Sequence, residues 1–224
     1  MATRTIENYL KQLYLEQQQT PASQPVAMGR LATLMSVVPG TATTMVKALA
    51  DSGLVHYEPR TGVKLTPSGT QLALHVLRRH RLVELFLVRI VGLDWSEVHE
   101  EAEELEHVVS DKLLQRIDVL LGHPTSDPHG DPIPSAAGQL TKSELETLLT
   151  CAIGEEVEVA RVIDQEPRFL QFVHQRGLTP GRRIRVTERD PLAESVMVEG
   201  AEFDAVTLSM SAAGKFLVRR PLGT

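Results

Sequence analysis

Two groups of histidine and glutamate residues in the middle of the chain have spacings suited to binding a metal ion. His80 and Glu84 are four residues apart, which places them on one face of a helix. The second group follows at spacings of four, three and one: His99, Glu103, Glu106 and His107. Helical bundles build metal sites from imidazole and carboxylate groups that project from facing helices. Since neither group contains sulfur, the pattern favours divalent ions such as Mn(II), Fe(II) or Zn(II).

The glutamates of the second group have an alternative interpretation. Residues 100–106 include five glutamates, and such a run is also typical of an acidic helix face exposed to water. Histidines at both ends of this run, His99 and His107, favour the metal site because a solvated face does not require imidazole groups at ligand spacing.

The elements that must position these residues follow a basic N-terminal segment. The whole chain has a formal net charge of −6. Residues 1–80 contain eight basic and four acidic residues, whereas residues 81–121 contain four basic and ten acidic residues. This division indicates attraction for phosphate in the first segment and for cations in the second.

The N-terminal segment has the element order of a winged helix-turn-helix domain. Apolar residues at spacings of three and four predict helices over about 3–18, 28–35 and 41–52. Two short β-type runs then meet around a turn at residues 59–62, which predicts a hairpin. In this arrangement the front of the third helix enters the major groove of DNA.

Seven residues are therefore predicted to contact DNA: Pro39, Gly40, Thr41, Thr43 and Thr44 at base edges, Lys47 near a phosphate, and Arg60 at the wing tip. Small side chains permit close approach, and threonine methyl groups can contact thymine methyl groups. The alternative is a helical fold whose threonines only cap and solvate a helix. The complete order of elements favours DNA binding.

The remainder of the chain is predicted to form a helical region and then a small β-module. Long helices are expected over Thr70–Val91 and from Ser96 to about Leu121, followed by a linker at 122–138. A short helix is expected around Lys142–Leu149, and the alternating runs after it are typical of a partly open barrel. The predicted fold class is α+β, with three domains over residues 1–70, 71–138 and 139–224.

Composition narrows the classes of protein further. A chain of 224 residues with 42% hydrophobic residues can form two or three cores. No apolar run approaches the roughly 20 residues needed to cross a bilayer, so no membrane segment is expected. The single cysteine, Cys151, excludes an internal disulfide and suits a reducing cytoplasm. The sequence has no Gly-rich phosphate loop and no nucleophile elbow, which argues against an enzyme.

The order of these motifs resembles the diphtheria toxin repressor family, which includes iron-dependent and manganese-dependent regulators. The matching segments are TIENYL at Thr5–Leu10, HRLVE at His80–Glu84, HEEAEELEH at His99–His107 and DPHGDPIP at Asp127–Pro134. The resemblance covers nearly the whole chain, since larger members end in an FeoA-like β-domain. It implies an N-terminal winged helix-turn-helix, an all-α dimerisation domain and a small C-terminal FeoA-like β-barrel.

The resemblance also implies a principal metal site. Glu103, Glu106 and His107 match its ligands, and Asn8 falls where the family supplies a ligand from the first helix. Methionine or aspartate is usual at that position, and Glu7 is the alternative donor beside it. Iron-type members have cysteine at the position of Glu103, so the match favours the manganese branch.

An ancillary site is implied by three further residues: His80, Glu84 and His99. Some manganese-type members use a neighbouring Cys-Pro-His-Gly segment, in which Asp127 here replaces the cysteine and His129 matches the histidine. A carboxylate from the β-domain contributes in some members, and Glu166 is the best-placed candidate.

The resemblance implies a homodimeric repressor that binds a double-stranded DNA operator when it is loaded with Mn(II), with Fe(II) as the alternative ion. It would control genes of metal-ion homeostasis. Dimer contacts are expected from five apolar residues: Leu105, Val108, Val109, Leu113 and Leu114. Two other functions remain open, a winged-helix regulator that senses a small organic ligand and a di-metal hydrolase.

Overall fold

A computed structural model describes residues 3–19, 24–141, 144–201 and 203–221. The chain forms two compact units. Unit 1 contains residues 1–80, 106–109 and 134–140, and unit 2 contains residues 81–105, 110–133 and 141–224.

Unit 1 has the element order of a winged helix-turn-helix, as predicted. Its elements are α1 (Arg4–Gln19), α2 (Met28–Leu34), α3 (Pro39–Asp51), β1 (Val55–Glu58), β2 (Gly62–Leu65) and the first part of α4 (Pro67–Phe86). The helix α3 begins two residues earlier than predicted, because the fixed φ of Pro39 suits the first turn of a helix. The strands β1 and β2 pair antiparallel, and Arg60 lies in the turn between them with a φ of 71°.

The core of unit 1 is built from the apolar faces of its three short helices. Tyr9, Leu10 and Leu13 are buried on α1, where their spacing matches one face of a helix. Leu31 from α2 and Leu49 from α3 pack into the same cluster. This packing fixes the exposed side of α3 and the face of α1 that carries Glu7, Asn8 and Lys11.

The helical part of unit 2 differs from the prediction of one helix running from Ser96 to Leu121. A π-helical turn (Leu87–Val91) follows α4, and then α5 (Val98–Leu105) and α6 (Asp111–Leu120) are separate helices. The chain starts a new helix because the Ser110 hydroxyl accepts a hydrogen bond from Leu113 N. Glu106 and His107 therefore lie in the non-helical segment between α5 and α6.

The C-terminal part of unit 2 is a six-stranded antiparallel sheet with the strand order β3-β8-β4-β5-β6-β7. Its elements are β3 (Glu146–Thr147), β4 (Glu156–Val162), α7 (Pro167–Gln175), β5 (Arg183–Asp190), β6 (Ser195–Gly200), β7 (Phe203–Ser209), α8 (Met210–Ala213) and β8 (Phe216–Arg219). Val159, Leu170 and Phe216 are among the residues of its core.

This sheet is open, so the predicted C-terminal β-module is present but is not a closed barrel. Within the described ranges β3 and β7 are edge strands that each pair with a single neighbour. Closure would require β3 and β7 to pair, and β3 has only two residues. Alternation of apolar and polar residues predicts strands but does not determine whether a sheet closes. The helix predicted around Lys142–Leu149 is wrong where it is described, because β3 lies there; residues 142 and 143 are outside the described ranges.

None of the helices in the described part of the chain is both long enough and apolar enough to span a membrane.

Candidate metal centre and DNA-binding surface

Glu106 is the most buried carboxylate of unit 1, with an exposed fraction of 0%. Its Oε1 accepts a hydrogen bond from Lys11 Nζ at 2.7 Å, and its Oε2 lies 2.6 Å from His80 Nδ1. Burial would raise the pKa of this carboxyl, but the hydrogen bonds and charges of His80 and Lys11 outweigh it and lower the pKa below the usual range. Glu106 is therefore held as a carboxylate.

The neighbouring residue, His107, is oriented by a carboxylate from α1. His107 Nδ1 lies 2.7 Å from Glu7 Oε2, and Glu7 Oε1 lies 3.5 Å from Arg79 Nη1. Because an ionised carboxylate can only accept, the His107 ring donates from Nδ1 to Glu7, and Nε2 is the ring nitrogen that faces away from this bond. His107 Nε2 is buried and lacks a hydrogen bond from any described residue, although Glu106 Oε1 lies 3.2 Å away. Metal-binding histidines usually have this arrangement, with the other ring nitrogen donating to a carboxylate.

Asn8 carries another buried polar atom of unit 1 that lacks a hydrogen bond. Its Oδ1 atom is buried and has no hydrogen-bond partner among the residues that the structure describes. A buried polar atom left without a partner costs about 1–3 kcal/mol, so the Asn8 and His107 atoms require an explanation. An amide oxygen, an imidazole nitrogen and the Glu106 carboxylate are all suitable ligands for a divalent cation, and the residues present therefore fit a metal ion.

Unit 2 contains a separate cluster of three buried candidate ligands. One ligand atom from each of Glu84, Asp127 and His129 lies within 4.8 Å of the others. His129 has an exposed fraction of 0%, and its Nε2 lies 2.8 Å from the carbonyl oxygen of Trp95. Since a carbonyl only accepts, Nε2 carries the proton, and the buried Nδ1 has no hydrogen-bond partner within the described ranges. His129 is thus oriented for ligation in the same manner as His107.

The loop that carries Asp127 and His129 is fixed by hydrogen bonds from its own backbone. Asp127 Oδ1 accepts from His129 N at 2.8 Å and from Asp131 N at 2.9 Å. Burial raises the pKa of Asp127 well above its usual value, and the Asp131 and Glu84 carboxyls raise it further, while Arg81 opposes them. A bound cation would remove this penalty, because an opposite charge favours the ionised carboxylate.

Gly130 is required in this loop for conformational reasons. Its φ is +88°, and a side chain at this position would collide with the carbonyl oxygen of Ala160 on β4. The amide of Val162 also donates to His129 O at 2.9 Å. The strand β4 therefore packs closely against the loop at His129 and Gly130.

The remaining predicted ligands have different surroundings. His99 is half exposed, with Nδ1 at 3.1 Å from Glu84 Oε1 and Nε2 at 3.6 Å from Glu103 Oε1. Glu166 caps α7 by accepting from Phe169 N at 3.2 Å, and it is not one of the three clustered residues identified in the described part of unit 2. His80 contacts Glu106 in unit 1.

The predicted DNA-binding residues lie at the front of α3 and in the wing. Pro39, Gly40, Thr41, Thr44, Lys47 and Arg60 are exposed, and Thr43 is half-buried. The hydroxyls of Thr43 and Thr44 donate to the carbonyls of Pro39 and Gly40 at 2.8 and 3.0 Å. Because these donors are used within the helix, the threonines can offer only a methyl group or an acceptor to a base.

Sequence reasoning missed three contributors to these sites: Lys11, the orienting role of Glu7, and the Trp95 carbonyl. Of these, only Lys11 could have been identified from the sequence, since it lies one helical turn after Glu7 on α1. The Trp95 carbonyl is a backbone group, so no residue type could have indicated it.

Comparison with known proteins matches three family models to this chain. They are the iron dependent repressor N-terminal DNA binding domain over residues 1–63, the iron dependent repressor metal binding and dimerisation domain over 66–135, and the FeoA domain over 146–220.

Individual relatives agree with these models. A solved manganese-dependent transcriptional repressor in complex with manganese is 40% identical with a TM-score of 0.83, and the match covers 95% of this chain and 98% of that one. An uncharacterised HTH-type transcriptional regulator of Methanocaldococcus jannaschii is 36% identical over 53% of this chain and 94% of its own length. The diphtheria toxin repressor of Corynebacterium efficiens is 38% identical over 59% of this chain, and the match spans 56% of that protein's length.

Proposed function

The chain belongs to the diphtheria toxin repressor family of metal-dependent DNA-binding regulators, which are not enzymes, and we propose that Mn(II) is the ion to which it responds. The observation that carries this proposal is His107 Nε2, which is buried without a hydrogen bond 3.2 Å from the ionised Glu106, together with the buried Asn8 Oδ1 on α1, which also lacks a hydrogen bond from any described residue.

The donor atoms support Mn(II) over a softer ion. Asn8, Glu106 and His107 offer oxygen and imidazole nitrogen, and Glu103 adds a carboxylate by the resemblance. A manganese-bound repressor is among the similar structures. Iron-dependent repressors are among the relatives as well, so Fe(II) is the alternative ion.

The proposed ligands join two segments that are far apart in the sequence. Asn8 lies on α1 of the winged-helix region, whereas Glu106 and His107 lie between α5 and α6. A bound divalent cation would supply a positive charge that ligands from both segments can share. Joint ligation would then hold α1 in one position, provided that this arrangement binds the ion more tightly than others do.

We propose a second ion site at Glu84, Asp127 and His129. His80, His99 and Glu166 remain candidate ligands because the resemblance implies them. The orientation of His129 by the Trp95 carbonyl supports this assignment. We retain the division into domains at residues 1–70, 71–138 and 139–224 as part of the proposal.

We propose that the protein acts as a homodimer on a double-stranded DNA operator. Three apolar residues of α6 are exposed: Leu113, Val119 and Leu120 have exposed fractions of 51%, 57% and 60%. An exposed apolar helix face is suited to a symmetric interface with a second copy. A dimer would present two α3 helices to two adjacent major-groove half-sites.

The test is binding of chelator-stripped protein to a fluorescent fragment of its own promoter region while Mn(II), Fe(II) or Zn(II) is added. His107→Ala and Glu103→Ala are compared with His75→Ala, which removes an exposed histidine from α4. We expect Mn(II) to restore tight binding in the wild type and the His75 control but not in the other two variants. Equal affinity with EDTA present would contradict the proposal and favour a regulator that senses an organic ligand.

A further inference from the structure

Lys11 places a positive charge inside the cluster where a metal ion is proposed to bind. Its side chain is 2% exposed, and Nζ lies 2.7 Å from Oε1 of Glu106. Lysine is rarely buried to this extent unless it is paired. Lys11 projects from α1 one turn after Glu7, so it shares the helix face that supplies Asn8.

Both oxygens of the Glu106 carboxylate are engaged by donors. Lys11 holds Oε1, and His80 Nδ1 holds Oε2 at 2.6 Å. A cation that binds Glu106 must therefore displace one of these donors or share an oxygen with it. If Lys11 stays in place, its charge also repels the divalent ion, and this repulsion is strong at short distance away from bulk water.

We propose that Lys11 is a built-in competitor for Glu106 that sets the affinity of this site for Mn(II). The inference rests on the proposed function. Lys11 is a positioning residue and does not ligate the ion, because an ammonium group has no lone pair to donate. The consequence is a sensor that fills at a higher free Mn(II) concentration than its ligands alone would require.

A purely structural role for Lys11 makes a different prediction. If the ammonium only neutralises a buried carboxylate and the ion binds elsewhere, removing its charge should lower stability without tightening Mn(II) binding. Stability and affinity must therefore be measured on the same variants.

The experiment uses the full chain, stripped with a chelator, and measures Mn(II) affinity by competition with a metal-binding fluorophore. Because two ion sites are proposed, the affinity that is compared is that of the Mn(II) site which is lost in His107→Ala. Lys11→Met and Lys11→Gln remove the charge, and Lys11→Arg keeps it. Lys112→Met on α6 is the matched control, because it removes an exposed lysine and changes the net charge equally.

We expect Mn(II) to bind about tenfold or more tightly in Lys11→Met and Lys11→Gln, which corresponds to about 1.4 kcal/mol. Lys11→Arg and Lys112→Met should match the wild type. Lys11→Gln decides the result if Lys11→Met does not fold, because glutamine can still donate a hydrogen bond to Glu106. If the wild type binds Mn(II) but Lys11→Met and Lys11→Gln bind it with unchanged or weaker affinity, the inference about Lys11 is overturned and the proposed function is not. A wild type that binds no Mn(II) would overturn the proposed function and this inference with it.

Discussion

The buried Lys11–Glu106 pair allows a prediction about the metal-free protein. The two side chains are 2% and 0% exposed and lie 2.7 Å apart. Glu106→Gln keeps the shape but replaces the carboxylate by a neutral amide between Lys11 and His80. The lysine charge then loses its partner. Removing one partner of a buried ion pair costs about 3–5 kcal/mol.

This cost is measured by thermal unfolding in EDTA, followed by circular dichroism. A loss of about 3–5 kcal/mol should lower the Tm by about 6–20 °C in a chain of this length. Lys11→Met should cost a similar amount, since it removes the cation that donates to Glu106 Oε1. The double variant Lys11→Met/Glu106→Gln should lose only about 1–3 kcal/mol of unfolding free energy, because it leaves one unsatisfied amide where each single variant leaves an unpaired charge.

The interaction energy from this double-mutant cycle should therefore be at least about 3 kcal/mol. Lys112→Met controls for loss of a lysine and should leave the Tm unchanged. Single variants as stable as the wild type, or costs that simply add in the double variant, would refute the buried pair.

Three further predictions concern other parts of the chain. Arg60→Gly should change the free energy of unfolding by no more than about 1 kcal/mol, because relief of the left-handed backbone at φ 71° offsets the extra entropy of glycine in the unfolded chain. The variant should bind all DNA sequences more weakly, and the slope of log binding constant against log salt concentration should be smaller by about 1. Trp95 is the only tryptophan and stacks on His129 at 5.4 Å, so its fluorescence should change as Mn(II) binds, and Asp127→Asn should remove that response at low Mn(II). Leu113→Asp should weaken dimerisation at least about tenfold in sedimentation experiments, because it places a charge on an apolar face, whereas unchanged dimers would exclude this face of α6.

Much of the fold could be predicted because local patterns determine it. Apolar spacing identified α1, α2 and α3, and the turn at residues 59–62 identified the hairpin. The break at Ser110 was missed because one capping residue competes with an otherwise continuous helical pattern. Full opening of the sheet could not be predicted, because closure depends on whether the two edge strands meet, and no local sequence pattern determines this.

The candidate site was predicted in its ligand types but not in its internal partners. The spacing of four, three and one residues is enough to mark Glu106 and His107 as candidate ligands. Lys11 and Glu106 are 95 residues apart in the sequence, and Glu7 and His107 are 100 apart. Pairings over such separations arise from tertiary packing, so the orienting carboxylate and the competing lysine could be recognised only in the folded chain.

We propose that ion binding and DNA binding are coupled, and the most direct test of this coupling is Mn(II) affinity measured with and without operator DNA. Coupling between two sites is reciprocal, so the factor by which Mn(II) strengthens DNA binding must equal the factor by which DNA strengthens Mn(II) binding. We predict a tighter Mn(II) isotherm with operator DNA present, by the same factor that the promoter titration gives, and no such change in His107→Ala. An Mn(II) affinity that is identical with and without operator DNA would contradict the account.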